Sequence, residues 1–254
     1  TRQETQPSAD QLGLAQQIQA RLAPAILPRW DELDIAVFRE PGSARTGDMY
    51  DIVQLPNGLA GIVIAHASAN GPDPAIMISQ VQAAFRVSAL HGDAPHVLMR
   101  ELNWLIYDAQ SDHRLACCAV LLEPRSGAIE YCTAGQPGAH IIDQSGRARG
   151  LVGLPNPPVG AELASTYASR PEQLDPAEVL VLFTPGFETL SNRSHQPFGR
   201  RRLIETLCRS IGQRPTAMLD DLATELRIFR QAGNQPDDIT VLLVRREAHQ
   251  PAAT

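Results

Sequence analysis

Residues 49–67, MYDIVQLPNGLAGIVIAHA, are two apolar runs separated by Pro-Asn-Gly. Asn-Gly between strand-forming runs specifies a hairpin, because both residues tolerate the left-handed backbone a tight turn needs. A hairpin fixes antiparallel pairing, which restricts the sheet types the chain can build. The same grammar recurs. LDIAVFRE (33–40) alternates as a strand does, and LACCAVLLEP, AIEYCTAGQPG and AHIIDQSG are three further strands with turns marked by Gly and Pro. LDPAEVLVLFTPG and DDITVLLVRRE add two more. Helical spacing appears at 73–90 and 94–110, then in FGRRRLIETLCRSI and PTAMLDDLATELRIFRQ. The order is strands, two helices, strands, two helices, one strand. Hairpin-like links favour antiparallel sheets over a doubly wound fold, so the expected class is α+β: a two-sheet antiparallel β-sandwich flanked by helices.

The 254 residues are 43% hydrophobic and 20% charged, enough apolar material for a sizeable core and inconsistent with disorder. A net charge of −6 argues against a nucleic-acid surface. All 22 basic residues are Arg, which excludes a P-loop or Schiff-base lysine. Cys117, Cys118, Cys132 and Cys208 form no C-x-x-C pair, which argues against a zinc site, and Cys117 and Cys118 in LACCAVLL read as small core residues. No signal peptide or long apolar span appears, so a cytoplasmic location is expected, with no membrane or nucleic-acid partner. Three segments are expected: a linker or signalling helix at 1–24, a domain at 25–246 and a flexible tail at 247–254. Leu12, Leu14, Ile18 and Leu22 give residues 8–22 one apolar face, with Ser8 as a cap. That helix either packs on the domain or joins an upstream domain and supplies a dimer seam. The start at Thr1 suggests a segment of a longer protein.

Acidic residues gather at strand ends: Asp48 and Asp51 in ARTGDMYD, Asp237 and Asp238 in QPDDITVLL. Carboxylates so placed suit Mg²⁺ or Mn²⁺, while any one Asp alone is more simply a turn cap. LVLFTPGFETL ends a buried run in a turn whose central residue, Pro185, cannot titrate and has no N–H to donate. His66, in an apolar strand, is read first as a hydrogen-bonded core or edge residue. The alternative is a mononuclear site with Asp48 and Asp237, perhaps for Zn²⁺. His91 and His96 read as a polar loop. Arg200, Arg201 and Arg202 at a helix start read as a solvated face or as a docking point for an acidic partner.

The ordered series GD-x-YD, IxHxSxxG, AGQPG, FTPGFE, FGxxRL and DDIT resembles the bacterial metal-dependent serine/threonine phosphatases of the PPM (PP2C-like) type, in their sporulation-phosphatase and sigma-regulator branch. The resemblance spans roughly residues 9–245. It implies α-β-β-α layers and two Mn²⁺ or Mg²⁺ ions holding a water that attacks phosphoserine or phosphothreonine. Gly47, Asp48, Tyr50 and Asp51 match the first motif, with Thr46 in place of a glycine. The second motif normally supplies an aspartate bridging both metals, and here that position is His66. Ala69 replaces a turn glycine, and Gly71 is kept. The alanine-glycine-histidine end reads Ala134, Gly135, Gln136. The threonine-aspartate-glycine motif reads Thr184, Pro185, Gly186. Asp237 and Asp238 keep the last motif, and Glu188 matches a glutamate the family often carries.

The resemblance thus implies two retained ligand positions, Asp48 and Asp237, in a site degenerate at His66, Pro185 and Gln136. No cofactor is expected beyond weak Mn²⁺ or Mg²⁺ binding, and phosphatase activity is expected to be absent or very weak. The domain also resembles the C-terminal half of the response regulator that delivers the stationary-phase sigma factor to an AAA+ protease. That implies an output domain working through a protein partner: a sigma factor, an anti-sigma antagonist or an upstream receiver domain. The alternatives are an active phosphatase acting on an anti-sigma-factor antagonist and a pure dimerisation module.

Overall fold

The computed structural model describes residues 17, 21, 22, 24, 26–43, 47–68, 73–109, 113–135, 137–151, 156–231 and 233–247. Most of the expected helix at 8–22, together with Thr46, Ala69, Gly71, Gln136 and the tail from 248, lies outside the described residues.

Among the described residues, ten strands and four helices have both ends defined: β1 (Leu33–Glu40), β2 (Asp48–Gln54), β3 (Ala60–Ser68), α1 (Asp73–His91), α2 (Pro95–Ile106), β4 (Arg114–Leu122), β5 (Ala128–Ala134), β6 (Gly138–Ile142), β7 (Ala148–Gly150), β8 (Arg170–Gln173), β9 (Val179–Phe183), α3 (Gly199–Arg209), α4 (Pro215–Arg230) and β10 (Ile239–Arg246). A short 3₁₀ turn, Pro185–Glu188, leaves the end of β9. One sheet runs β1-β10-β9-β6-β7 and the other β2-β3-β4-β5-β8. Every pairing is antiparallel. The β2–β3 turn carries Gly58 at φ 86°, as the Asn-Gly signal requires.

The strand alternation sorts side chains into three cores. Ile52, Ile62, Ile64, Leu180, Leu182 and Leu242 fill the space between the sheets. Val63 and Ala65 point outward from the second sheet, onto Met77, Ile78, Val81 and Phe85 of α1 and Met99 and Leu102 of α2. Val181, Phe183, Val241 and Leu243 point outward from the first sheet, onto Leu203, Leu207, Met218 and Leu222 of α3 and α4. This is a helix–sheet–sheet–helix stack. Both faces of the central strands are covered, so β3 and β9 are nearly continuous apolar runs rather than alternating ones. Cys117, Cys118 and Cys132 are buried in these layers. Burial lifts their thiols, Cys132 to about 12, so they are held as unreactive thiols.

Two strands, β7 and β8, lie in stretches with no strand signal. They are short and polar (ARG and RPEQ), and each is the edge of its sheet, where solvent replaces the apolar face that would reveal it. His91 and His96 are not in a loop, contrary to expectation. His91 closes α1, and His96 sits in the first turn of α2, where its backbone N–H donates to Ser169 Oγ and its Nδ1 lies 2.9 Å from the same oxygen. Pro95 at the first position of α2 starts that helix within HGDAPH. Among the described residues, no helix is long and apolar enough to cross a membrane.

Candidate functional site

The acidic strand ends converge where the two sheets meet. Asp48 opens β2, and antiparallel register places it directly opposite His66 of β3. Asp48 is fully buried and the His66 side chain is 15% exposed. His66 Nδ1 lies 2.8 Å from Asp48 Oδ1. The other carboxylate oxygen accepts two hydroxyls from the opposite sheet, Thr184 Oγ1 at 2.6 Å and Thr240 Oγ1 at 2.8 Å. Thr184 Oγ1 in turn accepts the Thr240 N–H at 3.0 Å. Three side chains from three elements therefore converge on one carboxylate and tie the sheets together.

Burial lifts the Asp48 carboxyl above its ordinary value, and the hydrogen bond and charge of His66, with the Thr184 hydroxyl, offset this only in part. Burial alone would lower the His66 imidazole. The hydrogen bond and charge of Asp48 outweigh it, with Asp237 and Asp238 behind, and hold the imidazole above its usual value. The two shifts have the same sign: His66 holds a proton more tightly than an ordinary imidazole, and Asp48 more tightly than an ordinary carboxyl.

Asp237 and Asp238 lie just before β10. Asp238 Oδ1 accepts the Gly42 N–H at 2.8 Å, and its Oδ2 accepts the Gly47 N–H at 3.1 Å and the Asp48 N–H at 3.4 Å. This carboxylate caps the turn entering β2 and so positions Asp48. The chain passes so close that a Cβ on Gly186 would stand 1.9 Å from the Asp238 carbonyl oxygen, and one on Gly42 would stand 2.5 Å from the Asp237 carbonyl carbon. Only glycine fits at either place.

Pro185 is the first residue of the 3₁₀ turn, where its missing N–H costs nothing and its fixed φ suits the geometry. Asp51 does not join this cluster. Alternation turns it to the helix layer, where its Oδ2 accepts from Arg86 Nε at 2.7 Å and Gln82 Nε2 at 3.1 Å. Glu188 lies at the surface near Arg200, at 3.8 Å. The three arginines of α3 are internally engaged: Arg200 over the Phe183 ring, Arg202 over Phe229 at 4.3 Å and Arg201 with Glu205 at 2.7 Å. Among the described residues, no three His, Cys, Asp or Glu side chains gather into a cation site. Gln136 is outside the described residues.

Sequence reasoning missed both hydroxyl donors as Asp48 partners. Thr184 was assigned only to its turn, and Thr240 was one more residue of DDIT. The signal available was a Thr at the inner end of each of two adjacent apolar strands.

A family model described as Stage II sporulation protein E (SpoIIE) matches residues 56–247. Protein IcfG of Synechocystis sp. is 26% identical over 274 residues, covering 96% of this chain and 43% of IcfG. Phosphoserine phosphatase RsbP of Bacillus subtilis is 26% identical over 161 residues, covering 61% of this chain and 40% of RsbP. The chain thus spans less than half the length of these curated relatives. Among solved structures, the SiaA-PP2C domain of Pseudomonas aeruginosa superposes with a TM-score of 0.78 at 20% identity, over 94% of this chain and 96% of that one. The layered sandwich is the PP2C fold, and with the match running through most of the chain, from the β2–β3 turn to the end of β10, this protein belongs to the SpoIIE family.

Proposed function

We propose that this chain is the output domain of a bacterial signalling protein, a PPM phosphatase fold that acts through protein–protein contact in sigma-factor regulation and whose metal site is degenerate. The observation that carries the reading is the Asp48 carboxylate, held by His66, Thr184 and Thr240. A paired Mn²⁺ or Mg²⁺ site needs several hard oxygen donors whose charge offsets two dications. At the bridging position His66 directs its Nδ1–H at Asp48, which leaves at most the one lone pair on Nε2 for a metal, and Pro185 supplies no donor. The residues do not fit a two-metal centre. His66 stands beside Asp48 at the position where the resemblance implies a metal-bridging aspartate.

The regulatory context rests on the relatives. RsbP is named a phosphoserine phosphatase, and it and IcfG are more than twice as long as the matched region. An upstream receiver domain and a sigma factor or anti-sigma antagonist as partner are parts of the same proposal. The test measures Mn²⁺-dependent hydrolysis of a phosphoserine protein by the wild type and by Asp237→Asn, alongside pull-down of sigma factors and anti-sigma antagonists. No turnover together with specific capture of one of those proteins is expected. Turnover that Asp237→Asn abolishes would refute the proposal in favour of an active phosphatase.

A further inference from the structure

The cations of this chain are unevenly placed. Residues 189–231, which hold α3 and α4, carry eight Arg against four acids, whereas the rest of the chain carries 14 Arg against 24 acids. The excess gathers at one end of the helix pair. Arg202, in the first turn of α3, lies 4.3 Å over the ring of Phe229 in the last turn of α4, so the start of one helix adjoins the end of the other. Ser191 and Asn234 exchange backbone hydrogen bonds, which brings the loop carrying Arg193 to the same end. Pairing sorts these arginines. Arg200 stands 3.8 Å from Glu188, Arg201 2.7 Å from Glu205, and Arg230 pairs with Glu40. Arg193, Arg202 and Arg227 are exposed, and among the described residues no carboxylate pairs with them. Arg202 is stacked on both Phe198 and Phe229, which fixes its guanidinium by the flat face and leaves the N–H edge for an oxygen partner. Ile228, between Arg227 and Phe229 in the chain, is 60% exposed, an apolar point amid the cations.

We propose that this end of the α3–α4 layer docks an acidic segment of a partner protein, with carboxylates on Arg193, Arg202 and Arg227 and an apolar side chain on Ile228. The proposal deepens the protein-contact reading above and rests on it. Three features select an acidic protein. Planar guanidinium forks match carboxylates, and a stacked Arg has less freedom left to lose on binding. Ile228 and the interspersed Glu205 and Glu225 suit a patterned protein surface rather than a continuous run of phosphates. The acidic remainder of the chain repels nucleic acid and anionic membranes, whose charge extends well beyond this patch. A second copy could offer only a different, acidic surface, and such a head-to-tail contact does not close into a pair.

Fluorescence anisotropy tests this with the full chain and a labelled peptide of about 12 Asp and Glu residues around a central Leu. A Kd of about 10–100 μM is expected at about 50 mM NaCl, weakening at least about 5-fold at about 300 mM, because exposed charges are screened. Arg193→Glu/Arg227→Glu should raise the Kd at least about 10-fold, and Ile228→Ala about 3-fold. All three positions are exposed, so the variants should fold, which circular dichroism and thermal melts check. No anisotropy change up to about 1 mM peptide overturns the inference, as does a Kd that Arg193→Glu/Arg227→Glu leaves unmoved. Tighter binding of phosphatidylserine vesicles or of a short DNA duplex, lost in the same variant, overturns it by reassigning the patch to that polyanion. Self-association of the wild type that the variant abolishes, seen by ultracentrifugation, overturns it in favour of a second copy. The titration uses neither phosphatase turnover nor sigma-factor capture, so its failure is separate from failure of the reading it rests on.

Discussion

His66→Ala removes the imidazole that faces the buried carboxylate of Asp48. The pair is 2.8 Å apart, Asp48 is fully buried and the His66 side chain is only 15% exposed, so solvent cannot replace the lost partner. Breaking a buried pair from one side typically costs about 3–5 kcal/mol. Two features pull the value toward the lower end. The Thr184 and Thr240 hydroxyls still donate to Asp48, and burial already favours its protonated form, which gives the variant a way to shed the charge. A loss of about 3 kcal/mol is therefore expected, and with a urea slope of about 3 kcal/mol/M for a chain of this size the midpoint should fall by about 1 M. The pH dependence gives a second readout. His66 is held above its ordinary value of 6.5, so its contribution is complete below that value and is lost as pH rises through the raised native value. Asp48 is also raised, so its term acts in the same direction at more acid pH, above its ordinary 3.8. Wild-type stability should decline from pH 6.5 toward alkaline pH, and His66→Ala should flatten that decline. A midpoint within about 0.2 M of wild type, or an unchanged slope above pH 6.5, would refute the coupling of His66 to Asp48.

Other perturbations probe the same junction. Asp238→Asn replaces one acceptor oxygen with a donor facing the N–H groups of Gly42, Gly47 and Asp48; a loss of about 2–3 kcal/mol is expected in urea or thermal unfolding. Gly186→Ala drives a methyl to 1.9 Å from the Asp238 carbonyl oxygen, and the forced shift of the 3₁₀ turn should lower stability by at least about 2 kcal/mol, measured by calorimetry. His66→Asp/Pro185→Asp restores acids at both lost positions. Without metal it should be less stable than wild type, and Mn²⁺ at about 100 times its Kd should return roughly 2.7 kcal/mol in thermal melts. If Mn²⁺ leaves those melts unmoved, either the motif positions are misaligned or further losses at the site matter as much.

Much of the fold was legible because strand and helix periods are local properties. The Asn-Gly turn, the apolar runs of β3, β4, β9 and β10 and the two helix pairs each declare themselves within a few residues, and their order restricts the chain to a layered antiparallel sandwich. The order of motifs associated Asp48 with His66, and the β2–β3 register sets the two opposite each other. Edge strands β7 and β8 could not be found, since pairing rather than composition makes them strands. Nor could the chain alone separate Asp48 from Asp51. They are three residues apart, and strand alternation sends one between the sheets and the other to the helix layer.

The sequence by itself determined the layers and their order, because periodicity is written in the chain. Tertiary structure decided what surrounds the Asp48 carboxylate. Thr184, Thr240 and His66 lie up to 174 residues apart (240 − 66) and meet on Asp48 only because β10 and β9 pack across from β2 and β3. The charge state of that carboxylate follows from the burial and hydrogen bonds of the assembled junction, quantities that do not exist until both sheets close over it.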